Sequence, residues 1–192
     1  MASTKRDQLI DTALDLFSRE GFQGTGIDRI LAESGVAKMT LYNHFKSKDE
    51  LILAVLRRRD ETFRNWFMRE VERRGSSPRN QLLAIFDVLE EWFSEGDYGG
   101  CLFINATAEF GDRTDSVRDS CAEHKKLVID YLIGLSSKAG AADPEELAFS
   151  LNLLADGAIV TAQVFGMPEA ARRARKAADI LICAALESVT VQ

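Results

Sequence analysis

Apolar residues return along the chain at three- and four-residue intervals, the period of a helix with one face turned inward. Ile10, Ala13, Leu14 and Phe17 set the first such stripe, and Leu9 and Leu16 widen it. Ser3 or Thr4 offers an N-cap and Gly21 a stop. After the loop "FQGTG", Thr25 opens a second helix, where "TGID" fits a capping box with Asp28 in the place usually held by Glu or Gln. Ile27, Ile30 and Leu31 face inward there until Gly35. A third helix of barely two turns runs from Ala37 or Lys38 to His44 or Phe45. Ser47 and Glu50 form another capping box, and a long fourth helix follows with Leu51, Ile52, Val55, Leu56, Phe63, Trp66 and Phe67. No Gly or Pro interrupts it before "GSSP" at 75–78.

Five more helices are predicted, over roughly 79–95, 101–110, 115–138, 144–165 and 168–188. "DPEE" supplies the fourth of these with an N-cap, a first-turn proline and two first-turn acids. No strand pattern survives. The pattern predicts an all-α chain of about nine helices, with domains at 1–47 and 48–192 joined through the long fourth helix.

Composition sharpens this picture. Three prolines in 192 residues favour long helices, and 46% apolar residues are enough for a core. Cys101, Cys121 and Cys183 are odd in number and lack a CxxC, which fits a reducing cytoplasm better than a disulfide framework. "MASTKRDQLI" has no apolar run of the kind a signal peptide needs. The most membrane-like window, 147–166, carries Asp156, so a buried helix is expected and no membrane partner. The net charge of −6 argues against a polyanion partner until it is divided. Residues 1–60 hold ten Lys and Arg against nine Asp and Glu, whereas 61–192 hold fourteen against twenty-one. A nucleic-acid site therefore belongs in the first part.

The stretch "GVAKMTLYNHFKSKDELI" (35–52) shows where. Helix, Gly35-containing turn, helix is the helix-turn-helix plan, whose second helix fits a major groove. Val36, Leu41 and Phe45 lock that helix to Ile27, Ile30 and Leu31. The outward side chains then meet DNA. Lys38 brings a charge, Thr40, Tyr42 and His44 donate to phosphates, and Asn43 can pair with adenine. Lys48 and the free N–H groups opening the fourth helix suit a further phosphate. Lys46 reads as a solvated charge, and so does "RRR" at 57–59, although the latter could also support the duplex.

Residues 17–56 resemble the N-terminal region of the TetR-like transcriptional repressors, through Phe17, "EGF", Thr25, Ile27, Ile30, "SGV", "LYNHF" and "SKDEL". Beyond them only helix count and "GCLFINATAEF" (100–110) match. The resemblance implies a homodimer on a roughly palindromic DNA operator, and a small-molecule effector that releases it. It adds Thr25 and Met39 to the DNA-facing set. Two departures stand out: Ala37 replaces a frequent Ser N-cap, and Met39 replaces a frequent Gly. Met39 either touches a thymine methyl or crowds the groove.

The remaining side chains suggest a ligand site in the C-terminal part. Trp66, Phe67, Phe86, Trp92, Phe103, Phe110 and Tyr131 are the aromatic candidates, and Asn105, His124, Asn152 and Asp156 the polar ones. Asp156 needs a partner if buried, and His124 is the expected one. Asn105, His124 and Asp156 could also face a divalent metal, but no full ligand set is visible and no metal is expected. By family analogy the last two helices form the dimer interface. The 144–165 helix has no polar face left for water, and the Ala-rich final helix permits close approach. A cytoplasmic, nucleoid-associated regulator follows from the resemblance. The competing readings are an all-α binding protein or enzyme using the aromatic cavity, and a dimeric interaction module. No nucleophile–base pair, metal motif or phosphate loop supports catalysis.

Overall fold

The computed structural model describes residues 4–111 and 116–187, and within them nine helices and no strand. These are α1 (Lys5–Glu20), α2 (Ile27–Ser34), α3 (Lys38–His44), α4 (Lys48–Arg74), α5 (Pro78–Phe93), α6 (Leu102–Glu109), α7 (Ser116–Ala139), α8 (Pro144–Phe165) and α9 (Ala170–Glu187). Ser3 and Ser188, expected at the first cap and the last helix end, lie outside the described residues, as does the first residue of the 115–138 helix.

Two compact units form, the first from 1–63 and 102–124, the second from 64–101 and 125–192. Helices α4 and α7 each run through both. The division expected after residue 47 falls inside the first unit, because the first half of α4 belongs with α1. Its Arg58 bridges Asp7 at 2.5 Å and Asp11 at 2.9 Å. The Thr4 hydroxyl, and next to it the Arg58 guanidinium, hold the Asp7 carboxyl below its ordinary range.

In the first unit, α1 packs against α2 and α3. Leu9, Ile10, Ala13, Leu16 and Phe17 of α1 are buried together with Ile30, Val36, Leu41 and Phe45. Each large side chain so buried contributes about 1.5–3 kcal/mol. Helix α1 starts on a full capping box in which the Thr4 hydroxyl accepts from the Asp7 N–H at 3.1 Å. The box expected at α2 does not form. Gly26 is the N-cap, and the Thr25 hydroxyl donates instead to the Gly21 carbonyl at 2.7 Å. At α4 the Ser47 hydroxyl accepts from Glu50 N–H, but the Glu50 carboxylate reaches past Ser47 to the N–H of Lys46. Ala37, the N-cap of α3, supplies no side-chain hydrogen bond to its first turn.

In the second unit, α5, α8 and α9 pack pairwise. Small residues of α9, Ala171 and Ala178, are fully enclosed beside Ile182. Ion pairs Arg79–Asp179, Arg172–Glu90 and Arg175–Asp87 line the α5–α9 seam at 2.6–2.9 Å. The loop after α5 is strapped to α8. The Tyr98 hydroxyl donates to the Ile159 carbonyl at 2.8 Å, and the Gln163 amide donates to the Gly99 carbonyl at 2.9 Å. Gly100 lies at φ +83°, where a Cβ would overlap the Gln163 carboxamide. Helix α8 buries only one side. Phe149, Leu153, Val160, Val164 and Phe165 remain exposed, Leu153 at 71%. By length and composition α8 could cross a membrane, the one such helix among the described residues.

Two outcomes are expected. Ala37→Ser gives α3 an oxygen to accept a first-turn N–H, so the first unit gains about 1 kcal/mol in thermal or denaturant unfolding. Burial raises Tyr98 above its ordinary phenol value and Tyr131 to about 12. The folded state favours both protonated phenols. Their contribution is therefore intact below about pH 10, the unfolded value, and is lost as pH rises from there through the folded values. The thermal midpoint should fall above pH 10, and fall less steeply in the double variant Tyr98→Phe, Tyr131→Phe. Equal slopes would show that the phenols carry no such linkage.

Candidate nucleic-acid interface

Helix α2 ends at Gly35, whose φ of +64° and N–H bond to the Leu31 carbonyl at 3.0 Å reverse the chain. Helix α1 holds that turn from outside, as the Gln8 amide donates to the Ser34 carbonyl at 2.7 Å. Helix α3 then lies with Leu41 (0% exposed) and Phe45 (1%) on its inner side. Met39 (77% exposed) and Tyr42 (48%) stand on the outer side. Lys38, Asn43 and His44 are exposed with them, while Thr40 and Lys48 are half-buried. Seven of the eight expected DNA-facing residues thus keep solvent-accessible surface. Thr25 does not. Its side chain is fully buried, and its hydroxyl donates to the half-buried Gly21 carbonyl.

Charge in the first unit is largely paired. Arg19 meets Asp15, Arg29 meets Glu20 and Glu33, and Arg58 meets Asp7 and Asp11. Lys38 touches Asp28 at 3.3 Å, but both side chains are mostly exposed, so the pair is worth about 0–1 kcal/mol and yields readily to a phosphate. Arg6, Lys46 and Lys48 form no ion pair among the described residues. Arg6 rests its guanidinium 5.3 Å from the Phe45 ring centroid, at the C-terminal end of α3. Sequence spacing gives no hint of this, because only the fold brings residues 6 and 45 together. The opening turn of α4, expected to receive a phosphate, already carries Asp49 and Glu50.

The expected ligand set is divided between the units. In the first, the Phe103 ring stacks on His124 with centroids 3.6 Å apart, and His124 Nδ1 lies 2.7 Å from Asp60 Oδ1. Phe110 sets its edge against Phe22 at 5.9 Å, and Asn105 is half-buried on α6. A cleft of about 320 Å³ opens beside His124, lined by Leu53, Arg57, Asp60, Asp119 and Glu123 among others, a feature the sequence reading missed. In the second unit, Phe86 is wholly enclosed, Phe67 and Trp92 are buried, and Trp66 is half-buried. Trp92 stands edge-on to Tyr98 at 5.1 Å. Within the second unit Asp156 has partners other than the expected His124. Asp156 accepts from Lys125 Nζ at 2.5 Å and from the Asn152 amide at 3.3 Å, so a neighbouring ammonium satisfies it. The Tyr131 hydroxyl is buried and has no hydrogen-bond partner among the described residues.

A family model for "Bacterial regulatory proteins, tetR family" matches residues 9–55, and one for "Tetracyclin repressor-like, C-terminal domain" matches 78–178. The chain is 26% identical over 128 residues to the HTH-type transcriptional repressor NemR of Escherichia coli K12, covering 66% of this chain and 64% of NemR. It is 33% identical over 95 residues to the HTH-type transcriptional activator FasR of Mycolicibacterium smegmatis, covering 50% of this chain and 43% of FasR. It thus spans less than two thirds of the length of these curated relatives. Among solved structures, a TetR-family transcriptional regulator from Streptomyces coelicolor superposes with a TM-score of 0.88 at 29% identity, over 95% of this chain and 96% of that one. With both family models matched in chain order, and the second alone spanning more than half of the sequence, this chain belongs to the tetR family of bacterial regulatory proteins.

Proposed function

We propose that the chain is a sequence-specific DNA-binding transcriptional regulator, a cytoplasmic, nucleoid-associated homodimer that represses until a small-molecule effector releases it from a roughly palindromic operator. The observation that carries the reading is α3: a seven-residue helix pinned by Leu41 and Phe45, with Met39, Tyr42, Asn43 and His44 turned to solvent. Residues 1–47 are the DNA-binding part and 48–192 the regulatory part. Lys38, Thr40, Tyr42 and His44 serve phosphates, Asn43 reads a base edge, and Met39 meets a thymine methyl. Arg6, Lys46 and Lys48 add the flanking positive charge. Thr25 serves the interface by fixing the turn before α2 rather than by contact through its hydroxyl.

The dimer forms through α8 and α9. The exposed apolar face of α8, together with Ile180 and Leu181 on α9, supports a four-helix bundle across a two-fold axis. That symmetry sets two α3 helices about 34–36 Å apart, one turn of DNA. The effector binds among the aromatic residues of the regulatory part, and the orphan Tyr131 hydroxyl supplies it with one directed hydrogen bond. Its binding tilts α4, the helix common to both units, and it must favour the tilted state to do so. No catalytic step is assigned. The relatives' names include a repressor and an activator, and repression is preferred because release by a ligand needs no contact with polymerase.

Selection from random duplexes tests the reading. A palindromic site is expected, with affinity falling steeply in salt at a log–log slope of about −0.9 per phosphate neutralised. Tyr42→Phe should weaken all sequences alike by about 1 kcal/mol, and Arg6→Gln should shallow the slope by about one contact. Asn43→Ala should change the selected bases. Salt-insensitive binding, or no enrichment, would sink the proposal. Separately, Leu153→Arg should give a monomer in sedimentation with much reduced operator affinity, and a variant that stays dimeric would remove the α8 face from the interface.

A further inference from the structure

The connection between α1 and α2 is held by a side chain from far along the sequence. Gly21 leaves α1 at φ +79° and donates its N–H to Phe17. The next two N–H groups both turn to one carboxylate. Phe22 N–H meets Glu109 Oε1 at 3.0 Å, and Gln23 N–H meets Glu109 Oε2 at 2.6 Å. The approach is close enough that a Cβ on Gly21 would stand 3.1 Å from Glu109 Oε1. A second contact reinforces the first. The Phe22 ring stacks on Phe17 at 4.9 Å and takes the edge of Phe110, the residue after Glu109, at 5.9 Å. Glu109 is also the last residue of α6, where the helix dipole disfavours an acid by a few tenths of a kcal/mol or more. The acid is thus poorly placed for its own helix and well placed for the turn, where charge-assisted bonds to two amides are strong.

We propose that Glu109 is a positioning residue for DNA recognition: its carboxylate clamps the α1–α2 turn and so fixes α2 and α3 for the groove. The clamp links α6 to the turn from which α2, and through it α3, is set. Thr25 completes it from the other side, since its hydroxyl holds the carbonyl of the same Gly21. Moving α6 by one bond length loosens the turn without touching any DNA-facing side chain. This role rests on the DNA-binding reading above, whereas the clamp itself does not.

The test pairs two measurements on the full chain. In Glu109→Gln one of the two amides loses its acceptor to a carboxamide NH2. Hydrogen exchange at Phe22 and Gln23 should then speed up about tenfold, with Ala178 and Ile182 of α9 unchanged. Affinity for the selected operator should fall about tenfold, with the same selected bases and the same salt slope, because no phosphate contact is lost. Glu109→Asp keeps two acceptor oxygens and should recover part of both losses, which also serves if the Gln variant folds poorly. Unchanged exchange would overturn the clamp. Faster exchange with full affinity would overturn the positioning role, as would a changed salt slope. An unsubstituted chain that binds no duplex would overturn the DNA-binding reading and the positioning role together, leaving the exchange data to judge the clamp alone.

Discussion

A seven-residue helix has too few internal hydrogen bonds to persist in water, so α3 exists only because Leu41 and Phe45 are removed from solvent behind it. Two such side chains contribute about 3–6 kcal/mol together, comparable to the nucleation cost that a short uncapped helix must overcome. Everything outward depends on that burial. The polar face is free to be chemically specific because it is not asked to stabilise the helix. Ala37 makes the dependence stricter, as it leaves the first turn without a side-chain acceptor.

The first unit also sorts its charges. Acids and bases cancel around α1, α2 and the middle of α4, through Arg19, Arg29 and Arg58. Among the cations without an ion pair in the described residues, Arg6 lies against Phe45 at the end of α3, and Lys46 and Lys48 flank the start of α4. A chain with net charge −6 can thereby hold a local surface that a polyanion tolerates. Long-range repulsion from the acidic remainder then favours close, well-registered contact over loose electrostatic capture.

Helix positions were legible because apolar spacing and caps are local. The nine helices of the described residues, the Gly35 turn and the inward placing of Leu41 and Phe45 all follow from residues within a few turns of one another. Partnerships across the chain were not. Asp156 takes Lys125 and His124 takes Asp60, because helix rotation, which spacing gives only to within a residue or so, decides which neighbour faces which. Thr25 looked like a cap from its spacing, yet the Gly21 carbonyl, four residues back, takes the same hydroxyl. Arg6 and Glu109 left no trace in the sequence, since their partners lie 39 and 87 residues away. The apolar excess of α8 was visible, but sequence could not divide it into a covered side and a bare one.

In the dimer proposed above, that bare side ties the chain's folding to its own abundance. There a partner subunit covers Phe149, Leu153, Val164 and Phe165, which the single chain leaves exposed, so mass action links stability to protein concentration. A cell making few copies would hold a larger fraction as lone subunits, which proteases and chaperones meet first. Turnover would then set a floor beneath which the molecule scarcely accumulates.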